Sequence, residues 1–234
     1  MEPILKVKNL SVKFGEFTAL ENLGFELEPG DALAIIGPNG SGKTVLLRAL
    51  LGLISYSGQV SWKKDTRLGY VPQKIEADKH LPINLQNLLT AKAKIIGSKE
   101  SEIISISKEL GLTKEFLKTP IGHLSGGQFQ KALIAFAMLG NPEVLILDEP
   151  TASVDTSGEE QIYDLVHRLQ DEKNITTIVV SHDLHFVYRY ATKVLCLNKS
   201  EICFGIPEEA LAKENLEKLY GPHKYHHHLN HKND

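Results

Sequence analysis

The sequence predicts an α/β fold: a mostly parallel sheet, an antiparallel β edge on its N-terminal side and an inserted helical subdomain. Three observations carry this expectation. Short continuous apolar runs, "ALAIIG", "VLIL" and "TTIVVS", alternate with longer amphipathic stretches. Right-handed crossovers then lay such strands side by side in parallel. The first forty residues hold short β-rich runs and turns, and the stretch from about Pro82 to Leu117 has helical spacing and no strand signal.

Taken in order, "ILKVKNLSVKF" and "LENLGFEL" read as strands before the turn "EPGD". "ALAIIG" is continuously apolar, as a strand covered on both faces must be. "TVLLRALLGL" has the spacing and length of a helix. "INLQNLLTAKAKIIG" and "SEIISISKELGL" read as helices of the inserted lobe. "QFQKALIAFAMLG" is a further helix, stopped by Gly140 and the turn "NP". "VLILDE" is a second buried strand, "GEEQIYDLVHRLQDE" a helix and "TTIVVSHD" a third strand. "KVLCLNKSEICFG" suggests a hairpin, and one amphipathic helix is expected from Pro207 to Tyr220. The expected domain spans 1–221, with the helical subdomain at about 74–140, and 222–234 forms a histidine-rich tail.

Composition narrows the class. The chain has 234 residues, 42% hydrophobic and 24% charged, with a formal net charge of -3. An acidic balance without a basic block argues against extended nucleic-acid contacts, so no nucleic-acid partner is expected. No apolar run has the length of a membrane span, and "MEPILKVKNL" does not resemble a cleaved secretory signal. Cys196 and Cys203 are the only cysteines. A disulfide framework is therefore not expected, and a reducing cytosol is the simplest compartment. The two cysteines read as buried apolar residues of the hairpin in preference to metal ligands.

Gly37-Pro38-Asn39-Gly40-Ser41-Gly42-Lys43-Thr44 matches G-x-x-x-x-G-K-[ST] between a predicted strand and a predicted helix. Glycines at these positions let backbone N–H groups converge on phosphate oxygens, and the helix presents its positive end there. Lys43 reaches toward terminal phosphates, and the Thr44 hydroxyl suits a magnesium shell. The expectation is a P-loop core holding a nucleoside triphosphate. In an open parallel sheet, ligands gather beyond the C-terminal strand ends. "VLIL" ends in Asp148 and Glu149, and "TIVVS" ends in His182. Asp148 is placed to orient magnesium, and Glu149 to polarise an attacking water. His182 is placed to donate to a γ-phosphate; without its place at a strand end it would read as an ordinary loop histidine. Asn198-Lys199-Ser200-Glu201 faintly resembles a guanine-reading motif, but Glu stands where Asp is expected, and a polar turn is the better reading.

GPNGSGKT, Gln73 after "LGYVP", "LSGGQ", "VLILDEP", Ser153-Val154-Asp155 and His182 follow one another in the order found in the ATP-binding cassette (ABC) ATPases, which the chain resembles along nearly its whole length. The resemblance implies ATP with Mg2+ as cofactors and a head-to-tail dimer with a second copy. In that dimer Ser125, Gly126, Gly127 and Gln128 of one chain close the nucleotide site of the other. The physics agrees, because "SGGQ" opens a helix and offers a second anion-binding end. The resemblance also implies that Phe14 stacks on adenine, although a core phenylalanine is the plainer alternative. It makes Gln73 a link between magnesium and the helical lobe, with Thr44 and Asp148 the other magnesium residues. It makes Asp155 the residue through which the paired sites sense each other. Glu149, His182 and Gln73 would be the catalytic set. Val45 stands beside the α-phosphate where a hydroxyl residue is frequent, and Lys131 where Arg is common.

One cassette without a membrane segment implies separate permease subunits, as in bacterial importers. The lobe opening "HLPINLQNLL", the run "SHDLHFVYRYATKVLCLN", "EICFGIPEEAL" and the ending "YGPHKYHHHLNH" resemble the ATPase subunits of high-affinity zinc importers. This implies uptake of zinc or a related divalent metal, an external metal-binding protein and a peripheral place on the cytoplasmic face of the bacterial inner membrane. Manganese, iron or an organic solute are the alternative substrates. An exporter or lipoprotein-release ATPase, and a soluble cassette acting on DNA or ribosomes, are further alternatives. His223, His226, His227, His228 and His231 can bind Zn2+ as neutral imidazoles, or form a passive polar tail.

Overall fold

The computed structural model describes residues 2–73, 75, 82–152 and 154–221. The chain divides into two compact units, 1–66 with 176–234, and 67–175.

In the first unit, β1 (Leu5–Phe14) and β2 (Phe17–Leu27) form an antiparallel hairpin. Leu5, Val7, Leu10 and Val12 are buried, as the half-covered face of such a sheet requires. β3 (Ala32–Ile36) is buried at every residue and leads into α1 (Lys43–Leu50). β4 (Ser57–Trp62) pairs with β1, so the predicted antiparallel edge is a separate sheet of order β2-β1-β4. β4 escapes the sequence reading because its burial does not alternate; its anchor is Trp62, whose indole N–H donates to Leu50 O at 2.9 Å.

Beyond the second unit the chain returns as the parallel partners of β3. β7 (Thr176–Val180) lies on one side and β8 (Lys193–Asn198) on the other. β9 (Ser200–Gly205) turns back antiparallel on β8, as the predicted hairpin does. α7 (Leu184–Tyr190) lies between β7 and β8; Asp183 caps it by accepting from His185 N at 2.8 Å and Phe186 N at 3.2 Å. The expected single helix from Pro207 to Tyr220 is two, α8 (Pro207–Ala210) and α9 (Lys213–Tyr220). Ala212 turns extended between them, and the Asn215 side chain donates to Glu209 O at 3.0 Å across the break.

Cys196 and Cys203 face each other in register on β8 and β9 and form a disulfide. This corrects the expectation of two reduced apolar residues. Spacing in the sequence brings them within one hairpin, but only strand register makes them opposite.

Among its described residues, the second unit holds a parallel pair, β5 (Leu68–Val71) and β6 (Val144–Asp148), and five α-helices. The helices are α2 (Leu85–Ile96), α3 (Glu100–Glu109), α4 (Lys114–Lys118), α5 (Gly126–Met138) and α6 (Thr156–Lys173). Asn84 and Asn87 close a reciprocal capping box at the start of α2, and Gly97 at φ 73 ends it. Glu102 in α3 accepts from Gly140 N at 2.6 Å, tying that helix to the end of α5. Lys173 pairs with Glu109 at 2.8 Å, tying α6 to α3. β5 and α4 were not anticipated as elements. A Cβ on Gly69 would lie 2.8 Å from Ala137 O, so β5 and α5 are at backbone contact.

Candidate nucleotide-binding site

β3 delivers the chain at Gly37 into a loop that ends at Gly42, directly before α1. Gly42 has φ 101, and a Cβ there would meet Leu20 Cδ2 at 2.5 Å. Backbone geometry and space both demand glycine. Gly37 is buried, and a Cβ on it would stand 2.1 Å from Leu197 O and 2.8 Å from Ser41 Oγ. Asn39 and Gly40 form the exposed tip. Gly42 stands at the N-cap of α1 and has no side chain with which to cap it.

The Lys43 ammonium, on a buried side chain, donates to Gly37 O at 2.8 Å and Pro38 O at 3.2 Å. Ser41 is buried, and its Oγ has no hydrogen-bond partner among the described residues. A cation, an uncapped helix start, a glycine cradle and a buried hydroxyl oxygen without a partner fit a phosphate chain. Thr44 and Val45, both half-buried, lie in the first turn of α1.

Two neighbours complete this half. Val180 of β7 is in register with Ile35, and Ser181 N donates to Ile35 O at 3.2 Å. His182 therefore leaves the sheet beside the strand that feeds the loop. Asp183 N donates to Ser181 Oγ at 3.0 Å, fixing the turn that carries the imidazole. On the other side, Lys199 in the β8–β9 turn donates its N–H to Ser41 O at 2.8 Å, and its carbonyl accepts from Glu21 N at 2.8 Å. The polar turn at Asn198–Ser200 is thus a brace for the phosphate loop, a role with no local signal in the sequence. Phe14 is 52% exposed and pairs across the hairpin with Phe17, whose ring lies 5.2 Å from Lys199 Nζ. An exposed ring replaces the core-phenylalanine alternative.

In the second unit, Val71 and Leu147 are in register, so the ends of β5 and β6 are adjacent. Asp148 ends β6 and is buried. Glu149 follows with φ 47, a left-handed backbone uncommon for a non-glycine residue. Gln73 Nε2 donates to Glu149 Oε2, which holds the carboxylate in one orientation.

Ser125 caps α5, accepting from Gln128 N at 3.3 Å while Gln128 Oε1 accepts from Ser125 N at 2.9 Å. This reciprocal box occupies the Ser125 and Gln128 amides, and Gly126 and Gly127 carry the other two of that helix start. Asp155 caps α6, its Oδ1 accepting from Gly158 N at 3.0 Å. The starts of α5 and α6 open into one groove of ≈ 390 Å³, lined by Ser125, Gly127, Gln128, Lys131 and Asp155 among others. The sequence places Ser125 and Asp155 thirty residues apart, and tertiary structure brings them to one surface.

Ser153 and the five tail histidines, His223, His226, His227, His228 and His231, lie outside the described residues. Among the described residues, no group of three or more His, Cys, Asp or Glu is arranged to hold a metal ion. Among the described residues, no helix is long and apolar enough to cross a membrane.

The sequence profile of the ABC transporter family matches residues 20–152. The zinc import ATP-binding protein ZnuC of Haemophilus influenzae is 38% identical over 221 residues, 94% of this chain and 81% of that protein. ZnuC of Pseudomonas fluorescens Pf-5 is 36% identical over 237 residues, 99% of this chain and 89% of that protein. Among solved structures, a chain of an inward-facing metal-chelate type ABC transporter has a TM-score of 0.84 at 30% identity, covering 94% of this chain and 89% of that one. The ADP conformation of an ABC transporter's ATP-binding cassette has a TM-score of 0.80 at 25% identity, covering 94% and 99%. With a profile match over more than half its residues and relatives above 30% identity along nearly all its length, the chain belongs to the ABC transporter family, as an ATP-binding cassette ATPase.

Proposed function

We propose that the chain is the ATP-hydrolysing subunit of an importer for zinc or a related divalent metal. It dimerises around two ATP and drives separate permease subunits from the cytoplasmic face of the bacterial inner membrane. An external metal-binding protein supplies the ion. The observation that carries the substrate is the set of zinc import relatives, 35% to 38% identical over 94% to 100% of this chain. The alternative substrates, manganese and iron, differ only in the ion delivered.

Within the nucleotide reading, the amides of Gly37 to Thr44 and the Lys43 ammonium bind the phosphate chain, and the exposed Phe14 ring stacks on adenine. Thr44, Gln73 and Asp148 would hold magnesium, which would neutralise charge on the terminal phosphates when bound. Glu149, oriented by the Gln73 amide, accepts the proton of an attacking water. His182 donates to the γ-phosphate oxygens. Ser125 to Gln128, with Asp155 beside them, serve the nucleotide of a second copy; the open groove at the starts of α5 and α6 supports this, since two positive helix ends face outward together. The histidines at 223, 226, 227, 228 and 231 bind Zn2+ loosely on the cytosolic side.

The test is reconstitution of the chain with its permease in vesicles, measuring ATP-driven uptake of zinc, manganese and iron delivered by the matching binding protein. Uptake of zinc above the others is expected. ATP-driven uptake of an organic solute alone, or none of any metal, overturns the substrate.

A further inference from the structure

Lys199 stands in the β8–β9 turn at φ 66, a left-handed backbone that glycine takes readily and a lysine seldom adopts. Both of its backbone groups are in use within the first unit. Its N–H donates to Ser41 O in the phosphate loop at 2.8 Å, and its carbonyl accepts from Glu21 N of β2 at 2.8 Å. Asn198 and Ser200 pair on either side of it, and the Cys196–Cys203 bridge closes the hairpin behind them. The backbone of Lys199 is therefore a fixed point between β2 and the loop. A long side chain at a position that suits glycine points to a use for that side chain.

The Lys199 ammonium lies 5.2 Å from the centre of the Phe17 ring, within the reach of a cation–π contact. Phe17 opens β2 and is in register with Phe14 at the end of β1, so the two side chains stand on one face of the hairpin tip. Both residues are more than half exposed, so packing restrains them little. Phe14 is the ring assigned to adenine. Lys199 thus touches the phosphate loop with its backbone and the base-side hairpin with its ammonium. Ordering an exposed aromatic tip costs entropy when the base arrives, and a contact already made in the free protein removes part of that cost.

We propose that Lys199 is a positioning residue that joins the two ends of the nucleotide site. Its backbone holds the phosphate loop at Ser41, and its ammonium holds Phe17 and with it the hairpin tip that carries Phe14. The separation between phosphate cradle and base platform is then set before ATP binds. The proposal rests on the reading that ATP occupies the loop with its adenine on Phe14.

The test measures kcat for ATP hydrolysis and Kd for two probes, MgATP and magnesium tripolyphosphate, which has the phosphate chain and no base. Lys199→Met keeps the stem and removes the charge. An exposed cation–π contact corresponds to roughly a 2- to 5-fold change in an equilibrium constant. The expected result is a rise of about that size in Kd for MgATP, with Kd for tripolyphosphate, kcat and the melting temperature near wild type. Lys199→Arg, which keeps the cation, should restore the ATP affinity. Phe17→Leu should show the same selective loss, and adding Lys199→Met to it should bring no further loss. An unchanged Kd for MgATP in Lys199→Met overturns the proposal. So does an equal loss for tripolyphosphate, which would reduce the lysine to general attraction of anions, or full additivity in the double variant. Unchanged ATP affinity in Phe14→Ala would instead strike the reading of adenine on that ring, and the proposal with it.

Discussion

Glu149 occupies a left-handed backbone position immediately after a fully apolar strand and the buried Asp148. That placement brings its carboxylate within reach of the Gln73 amide. A carboxamide in its place keeps the shape and loses the proton acceptor. Glu149→Gln is therefore expected to bind ATP as wild type does, because Lys43 and the loop amides are untouched. Turnover should fall by roughly two to four orders of magnitude. Single-turnover hydrolysis with radiolabelled ATP checks this, and turnover at the wild-type rate removes Glu149 from the role. Gly42 is a second residue where one atom decides. Its φ of 101 and the 2.5 Å approach of Leu20 mean that Gly42→Ala costs about 1–2 kcal/mol in backbone energy alone, plus displacement of Leu20. Urea denaturation and ATP titration should show both losses together.

The β8–β9 hairpin does two jobs as an element. Its turn braces Ser41 through Lys199, and its strands carry the Cys196–Cys203 disulfide behind that turn. Closing so short a loop constrains the unfolded chain only modestly, by roughly 2 kcal/mol in the chain-entropy view. Reductant should thus lower the denaturation midpoint of the wild type and leave that of Cys203→Ser unmoved. A wild-type midpoint indifferent to reductant would show that the bridge does not contribute to stability. At the start of α2, Asn84→Ala removes one half of the capping box and should cost about 1 kcal/mol.

For the whole molecule, two copies are required if the α5 start serves a partner's nucleotide. Lys43→Ala and Ser125→Arg subunits should each be inactive alone. Mixed, they form heterodimers with one intact composite site, and partial ATPase activity should return. A Ser125→Arg protein that dimerises with ATP and hydrolyses it normally overturns the arrangement. Deleting residues 222–234 should leave ATPase activity in metal-free buffer close to wild type and abolish most zinc binding. Zinc affinity of the full chain should fall as pH drops through about 6.5, because protonated imidazoles cannot ligate. Equal zinc titration curves for both proteins would leave the tail a passive polar end.

The phosphate loop, the strand ends bearing Asp148, Glu149 and His182, and the serine that opens α5 were legible in the sequence for one physical reason. Each is a local event in which a run of apolar residues ends and a turn or helix start begins, so spacing along the chain reports it. β4 was not legible because its burial does not alternate, and β5 because four residues are too few to show a pattern along the chain. The break at Ala212 was hidden inside an unbroken amphipathic pattern. Contacts that set the site from afar depend on register and packing between distant segments. Gln73 meets Glu149, Lys199 meets Ser41 and Asp155 shares a groove with Ser125. The same holds for Cys196 and Cys203, which strand register alone makes opposite. Sequence determined which chemical groups the nucleotide site has. Tertiary structure decided what holds each of them still, because side-chain partners separated by tens of residues leave no periodic trace in the chain.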